Sequence, residues 1–283
     1  MQQKPILIVG HKGKTGSRVY RLLEKQGIPV RGVSRSGQPA FDWNDPSGWR
    51  EAMAGCCAAY VTFQPDLAIP AAEGAIRQFT ELAREMGIEH LVLLSGRGED
   101  GAQKAENIVI NSGLEWNIVR ASWFAQNFSE SFMLDGILQG ELVLPAGDIP
   151  EPFIDIDDIA EVVVASLTRD ELKNRLFEVS GPRAMTFEQC AREISDAVGY
   201  PVNFVSVPIE AFIQALSKQN MPEEMLWLMK ELFTEVLDGR NSHVVNGVEE
   251  ALGRPATDFS TYIMKVVAQG EWRHEQVEYT EKF

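Results

Sequence analysis

No run of eighteen apolar residues occurs anywhere in the chain, so no membrane-spanning helix is expected. The N-terminus, MQQKPILIVG, lacks the basic start, long apolar core and small-residue cleavage site of a secretory leader. Cysteine is scarce. Cys56, Cys57 and Cys190 form an odd set with no metal-ligand spacing, which argues against a disulfide framework and for reduced thiols in a cytoplasmic protein. The four histidines, His11, His90, His243 and His274, lie too far apart in sequence to suggest a metal site, and each reads as a surface or hydrogen-bonded imidazole. No low-complexity tract and no repeat of solenoid period is present.

Positive charge is also in short supply. With 26 Lys and Arg against 41 Asp and Glu, the net charge is −15, a field that repels nucleic acid and anionic membrane; neither is expected as a partner. The distribution is uneven, however. Eight of the basic residues but only one acid, Glu24, fall in residues 1–35. Among them, Lys12, Lys14, Arg18 and Arg35 surround a glycine-rich turn, where they would suit a small anion.

Residues are sufficient for a large core: 283 in all, 45% of them apolar and 24% charged. Pro5–Val9 is a continuous apolar run, as a parallel strand buried on both faces requires. Val19, Leu22 and Leu23 then give helical spacing, closed by Gly27. Strands are expected at Val30–Ser34, Phe41–Trp43 (short), Ala58–Phe63, Leu91–Leu94 and Trp116–Arg120. Helices are expected from Asp45, over Pro70–Met86 and over Asp100–Ser112. This alternation predicts an α/β fold, a doubly wound parallel sheet of the Rossmann type.

Beyond residue 120 the pattern loosens. Phe153–Ile156 and Arg175–Val179 read as strands, Asp157–Ala160 as an acid-capped helix start, Thr186–Val198 as a helix, and residues 208–217 and 222–238 as amphipathic helices. The expected division is a dinucleotide-binding domain over residues 1–120, completed by about 153–180. A smaller, mostly helical C-terminal lobe, about 121–152 and 181–283, would carry the substrate over the sheet's carboxyl edge.

The stretch VGHKGKTGSR carries two conflicting signals about phosphate. A nucleoside-triphosphate loop, G-x-x-x-x-G-K-[ST], would need glycine five residues before Gly13, where Ile8 stands inside the strand. The triphosphate reading therefore fails. The observed spacing, Gly10-x-x-Gly13-x-x-Gly16, puts a tight turn between a buried strand and an amphipathic helix, as a pyrophosphate site needs. Lys12, Lys14 and Thr15 lie within that turn. At the end of the next strand, Gly32-Val-Ser-Arg-Ser-Gly37 lacks the acid that would hold the adenosine ribose of NAD. Arg35 can instead pair with a 2′-phosphate, with Ser34 or Ser36 as a further donor, so NADP(H) is the expected cofactor.

The turn, the SRSG segment, Ser112–Phe128 (SGLEWNIVRASWFAQNF), Phe153–Leu167 (FIDIDDIAEVVVASL) and Gly247–Tyr262 (GVEEALGRPATDFSTY) together resemble the NmrA-like branch of atypical short-chain dehydrogenases/reductases. Within that branch the likeness is strongest to the festuclavine dehydrogenase type of ergot-alkaloid enzyme and its bacterial relatives. It covers nearly the whole chain and says little of the substrate. The resemblance implies a Rossmann domain binding NADP(H) and a small lobe closing a substrate cleft. It implies further that Asp42 and Trp43 lie near the adenine, that Thr62, Phe63, Gln64, Ser95 and Gly96 line the cofactor, and that Ala121–Trp123 lie near the nicotinamide.

One departure from the family pattern stands out. The Tyr-x-x-x-Lys pair by which such reductases protonate product falls on Gly98 and Ala102 here, and Gly96–Glu106 contains no tyrosine. Lys104 is two residues out of register and reads as a surface residue. Ser95, Trp123 and Asn127 remain as candidate catalytic side chains. Ser95 reads either as a hydroxyl donor or as a strand-end serine bonded to backbone, and Trp123 either as a nicotinamide-side wall or as core. Candidate pocket walls are Trp123, Phe124, Asn127, Phe128, Phe153 and Trp227, with Phe124 and Trp227 read as core.

The expected function is hydride transfer from NADPH to a small acceptor that needs no acid pair, an iminium or imine, a quinone or an enone, by a monomer or homodimer. The rival is a non-catalytic NADP(H)-binding redox sensor that acts through a protein partner. A third possibility is a redox-neutral enzyme on the same scaffold.

Overall fold

The computed structural model describes residues 3–273. Its elements run β1 (Ile6–Val9), α1 (Lys14–Lys25), β2 (Val30–Val33), α2 (Trp49–Met53), β3 (Ala58–Val61), α3 (Pro70–Glu85), β4 (His90–Gly96), α4 (Asp100–Ile110) and β5 (Glu115–Ala121). There follow α5 (Leu134–Leu138), β6 (Glu141–Leu144), α6 (Ile156–Thr168), β7 (Arg175–Val179), α7 (Phe187–Val198) and β8 (Asn203–Ser206). Four helices close the described chain: α8 (Ile209–Lys218), α9 (Glu223–Glu231), α10 (Gly247–Leu252) and α11 (Phe259–Gln269).

Six strands form one parallel sheet in the order β2-β1-β3-β4-β5-β7. Alternate side chains of the strands enter two separate cores. Ile6, Ile8, Tyr60, Val92 and Val119 pack with Val19 and Leu23 of α1 and with α6 and α10. Leu7, Val9, Val61, Leu91 and Leu93 pack with α2, α3 and α4. Burial of both faces explains why these strands read as unbroken apolar runs instead of an alternation. β2 lies on one side of β1, and the chain then crosses back to place β3 on the other, so the strand order reverses at β1. The turn after β1 therefore opens into the crevice where doubly wound sheets bind ligands.

A third core, drawn from the chain after β5, is strongly aromatic: Trp123, Phe128, Phe153, Phe187, Phe212, Phe233, Phe259, Tyr262 and Trp272. The same part of the chain contains a two-stranded parallel sheet, β6 with β8, that the sequence pattern did not signal. Its helix α7 opens with a full capping box, Thr186 accepting from the Gln189 N–H while the Gln189 side chain accepts from the Thr186 N–H.

Several sequence expectations need correction. Phe41–Trp43 forms no strand; it is a looped segment with isolated bridges Ser34–Ala40 and Asp42–Asp45, and its rings pack into an aromatic cluster with Trp49 and Phe79. Phe153–Ile156 makes a single bridge, Phe124–Ile154, because Asp155 already caps α6 by accepting from the Asp157 N–H. Residues 222–238 are not one helix: α9 ends at Glu231 and passes into a π-helical turn, Leu232–Val236. Trp227 is not core but 41% exposed, whereas Phe124 is partly buried against the α6 side of the sheet.

Candidate functional site

The turn after β1 is built by close approach. Gly10 adopts φ +71°, a left-handed conformation that favours glycine, and a Cβ there would stand 2.6 Å from Thr62 Oγ1. A Cβ on Gly16 would overlap the Gly10 carbonyl oxygen, so the first turn of α1 can approach the strand end only without a side chain. Gly13 caps α1 in an extended conformation and donates its N–H to Gly10 O at 2.8 Å. The open N–H groups of the α1 first turn thus face the crevice beside Thr62, whose hydroxyl donates to Val9 O at 3.1 Å. Thr15 turns inward, its hydroxyl accepting from the buried Tyr60 OH at 2.9 Å.

A cavity of about 420 Å³ lies against this turn, lined by Gly10, Lys12, Gly13, Ser34, Arg35, Ser36, Asp42, Trp43, Thr62 and Gln64 among others. The cavity brings together most of the cofactor residues named from sequence. At its β2 end the Lys12 ammonium donates to Ser36 Oγ at 3.0 Å. Ser34 Oγ is buried without a partner, and Arg35 is exposed with no ion pair among the described residues. Asp42 accepts from the Asn44 N–H at 3.0 Å, and Trp43 donates its indole N–H to Thr62 O at 3.0 Å with its ring against Phe63. An ammonium, a guanidinium and an orphaned hydroxyl around one recess are a donor set for a phosphate, and the Trp43 ring on the cavity wall suits a purine.

At the other end of the crevice the residues named from sequence are more deeply placed. Ser95, at the end of β4, donates to Glu106 Oε1 at 2.6 Å; Arg120 of β5 holds both oxygens of the same buried carboxylate. The Ser95 hydroxyl is thus engaged by a side chain, neither free nor on backbone. Trp123 is 9% exposed, its ring edge-on to Phe187 and Phe233, and its Nε1 has no acceptor. Phe128 and Phe153 are fully enclosed in the aromatic core. Asn127 Oδ1 accepts from the Lys14 ammonium at 3.3 Å, so the turn and the lobe touch there. Burial pulls the Lys14 ammonium below its ordinary range, with Glu130 opposing and Arg18 adding to the effect.

Sequence reading missed a set of buried ionisable groups at this end. Arg97, almost wholly buried, donates to Glu178 at 2.7 Å, to Ser122 Oγ at 2.9 Å and to the carbonyls of Asn241 and His243. It ties the C-terminal segment onto the ends of β4, β5 and β7. Glu151, 2% exposed, is pushed up to about 7 by burial, against the opposing pull of the Trp123 N–H, Arg97 and Ser122. Burial raises Asp66, in the loop after β3, and holds Glu99, in the loop after β4, well above the usual carboxylate range. No periodicity marks such residues, because each comes from a different loop. Of the histidines, His90 bonds Asn117 and His243 bonds Arg97, His11 departs from the expectation with its Nδ1 buried and without a partner, and His274 lies outside the described residues. No group of three or more potential metal ligands occurs among the described residues, nor any helix long and apolar enough to cross a membrane.

The model of the NmrA-like family matches residues 102–263, more than half of the chain. The chain belongs to the NmrA-like family. Among curated relatives, the NAD(P)H azoreductase of Xenophilus azovorans is 28% identical over 91% of this chain and 96% of its own. The agroclavine dehydrogenase of Claviceps fusiformis is 26% identical over the same shares. An NADPH-dependent quinone oxidoreductase from Escherichia coli, solved with NADPH, superposes with a TM-score of 0.79 at 17% identity. That match covers 93% of this chain and 99% of the other. At that identity the superposition shows a shared fold.

Proposed function

We propose that this NmrA-like protein is an NADPH-dependent oxidoreductase that reduces a small, flat organic acceptor. The observation that carries the cofactor half is the recess at the β2 end, where Lys12, Ser36, Arg35 and the unpartnered Ser34 hydroxyl converge beside the glycine turn. A 2′-phosphate supplies the acceptors those donors lack. Gly10, Gly13, Lys14 and Gly16 take the pyrophosphate, while Asp42, Trp43, Thr62, Phe63 and Gln64 flank the adenosine. Ser95 and Gly96 continue the cofactor's path along the sheet's edge.

The acceptor half rests on position. Trp123 and Asn127 follow β5, beyond the switch point and under the second lobe, with Phe128 and Phe153 behind them as a rigid aromatic support. Trp227 stands exposed on α9. Relatives named NAD(P)H azoreductase and agroclavine dehydrogenase, matched over most of their length, support a reductase of a small organic molecule. When bound, NADPH supplies a hydride, and the chain's own contribution is orientation, exclusion of water and management of the proton.

Stopped-flow oxidation of NADPH against a panel of quinones, azo dyes and cyclic imines tests the reading. Turnover with at least one class, together with tighter binding of NADP than of NAD, is expected. Tight NADP binding with no turnover on any acceptor would convert the protein into a dinucleotide sensor, and failure to bind NADP would point to a redox-neutral enzyme.

A further inference from the structure

Arg18 stands one helical turn beyond Lys14 in α1, among the cations that the sequence places around the glycine turn. Its guanidinium is engaged elsewhere. Nη2 and Nη1 fork onto the two Glu130 carboxylate oxygens at 2.6 and 3.3 Å, and Nε donates to Asp157 Oδ1 at 2.8 Å. Nη1 donates also to the Lys14 carbonyl at 2.9 Å. Four of its five N–H donors are spent on these partners, which leaves no fork to offer a phosphate.

These contacts belong to a closed ring. From Asp157, in the first turn of α6, the ring passes to the Lys265 ammonium of α11 at 3.2 Å. Lys265 donates to Asp155 at 3.0 Å, and the Gln126 amide donates to the same carboxylate at 2.6 Å. Backbone completes the circuit, the Glu130 N–H donating to Gln126 O at 2.7 Å. The Gln126 side chain accepts in addition from the Ile156 N–H at 2.9 Å, and the Ala125 N–H donates to Ile154 O at 2.8 Å. Gln126 and Asp155 are buried, while Asp157 and Lys265 lie at the solvent side. The segment so enclosed is the single helical turn after β5, Ala125–Phe128, and it carries Asn127.

The helix α1 thus meets both halves of the site. Its first turn holds the open N–H groups, with Gly13 on the wall of the cofactor cavity and Lys14 donating to Asn127 at 3.3 Å. One turn further on, Arg18 grips the segment on which Asn127 sits. Hydride transfer needs reacting atoms about 3–3.5 Å apart, and an error of about 1 Å can cost 10²-fold in rate. A short turn held only by its own backbone would not keep such a distance from α1. A bidentate guanidinium clamp does.

We propose that Arg18 is a positioning residue for hydride transfer, holding the Asn127 turn, through Glu130, at a fixed distance from the phosphate-binding end of α1. The inference rests on the oxidoreductase reading above. Dinucleotide and acceptor-side amide are then registered on one rigid helix, and Arg18 itself touches neither reactant. When the Lys14 ammonium turns to phosphate, Arg18 still ties α1 to the turn.

Arg18→Met and Glu130→Ala test this in the full chain, with NADPH and whichever of a benzoquinone, an azo dye or a cyclic imine the wild type reduces. Each variant is expected to lower kcat by about 10–100-fold. Dissociation constants for NADPH and NADH should move by less than about threefold and the thermal melt by less than about 4 °C, as loss of part-exposed ion pairs allows. Glu130→Gln, which keeps an acceptor oxygen for the guanidinium, should recover most of the rate lost in Glu130→Ala. A roughly tenfold loss of affinity for both dinucleotides in Arg18→Met would make Arg18 a phosphate ligand. A lowered melt with kcat unchanged would make the ring a stabilising tie without a part in the reaction. Either result overturns the proposal. In the cofactor-free protein, hydrogen exchange of the 125–130 amides is expected to quicken by about tenfold in both variants, with β1 and α4 unaffected. Unaltered exchange there overturns the positioning role. A wild type that reduces none of the three acceptors overturns the oxidoreductase reading, and the exchange result then decides separately whether Arg18 holds the turn.

Discussion

The two ends of the sheet's carboxyl edge solve opposite problems. At the β1–β2 end, charge is positive, side chains are exposed or half-exposed, and backbone N–H groups are left open beside an existing cavity. At the β4–β5 end, charge is carried by buried acids, arginines are consumed in ion pairs, and aromatic rings fill the space. The first arrangement suits a ligand that brings its own negative charge and needs only donors. The second suits chemistry in which a proton must be kept from water. A protein that is acidic overall can hold a polyanion only by segregating its cations, and it does so within the first 35 residues.

The comparison breaks first if the aromatic lobe is a pocket and not a support. Phe128 is fully buried among Phe153, Phe187 and Phe259. Phe128→Ala is expected to cost about 3–5 kcal/mol of unfolding free energy, measured by urea denaturation, with NADPH affinity unchanged. A loss below about 1 kcal/mol with a large rise in KM would make Phe128 a substrate wall.

Next in size is the proton inventory of the β4–β5 end. Glu151 is pushed up to about 7 when folded, against an unfolded value near the usual 4.5. The folded state thus holds a proton that the unfolded state has released. This contribution is full below about pH 4.5 and is lost progressively as pH rises to about 7, for a total of about 3 kcal/mol. Glu151→Gln should flatten stability between those limits in denaturant titrations at several pH values. An unchanged slope would assign the charge loss to other groups.

At the basic end the expected effect is smaller and specific. Arg35→Ala removes a charge-assisted contact worth about 1.5–2 kcal/mol, so NADPH affinity should fall by roughly 10–30-fold while NADH affinity stays put. Equal losses for the two dinucleotides in a fluorescence titration would remove Arg35 from the 2′-phosphate.

These unequal ends were also unequally legible. The glycine turn, its strand and α1 are contiguous, so local spacing carried the information, and Ile8 alone excluded the triphosphate loop. The alternation of strands and helices likewise gave the sheet. Phe41–Trp43 misled because its aromatic pattern serves an edge-of-sheet cluster, not a ladder. The β6–β8 pair escaped because its two strands are four residues each and about sixty residues apart. Asp66, Glu99 and Glu151 had no pattern to read. Each comes from a different loop, and its chemistry is set chiefly by burial, which no local spacing announces.

The contact that joins the two ends offers the finest test. Lys14 belongs to the glycine turn and Asn127 to the segment after β5, and the ammonium donates to the amide oxygen at 3.3 Å. A long, half-buried contact of this kind is worth about 0.5–1 kcal/mol. A double-mutant cycle on Lys14→Met and Asn127→Ala should return that coupling in unfolding experiments without cofactor. With NADP bound, an ammonium that turns to the pyrophosphate abandons Asn127, and the coupling should fall toward zero. The amide is then released to face the acceptor, so filling the basic end would prepare the other. Coupling that persists at full strength in the complex would instead make Lys14 a structural tie, and the two ends would act independently.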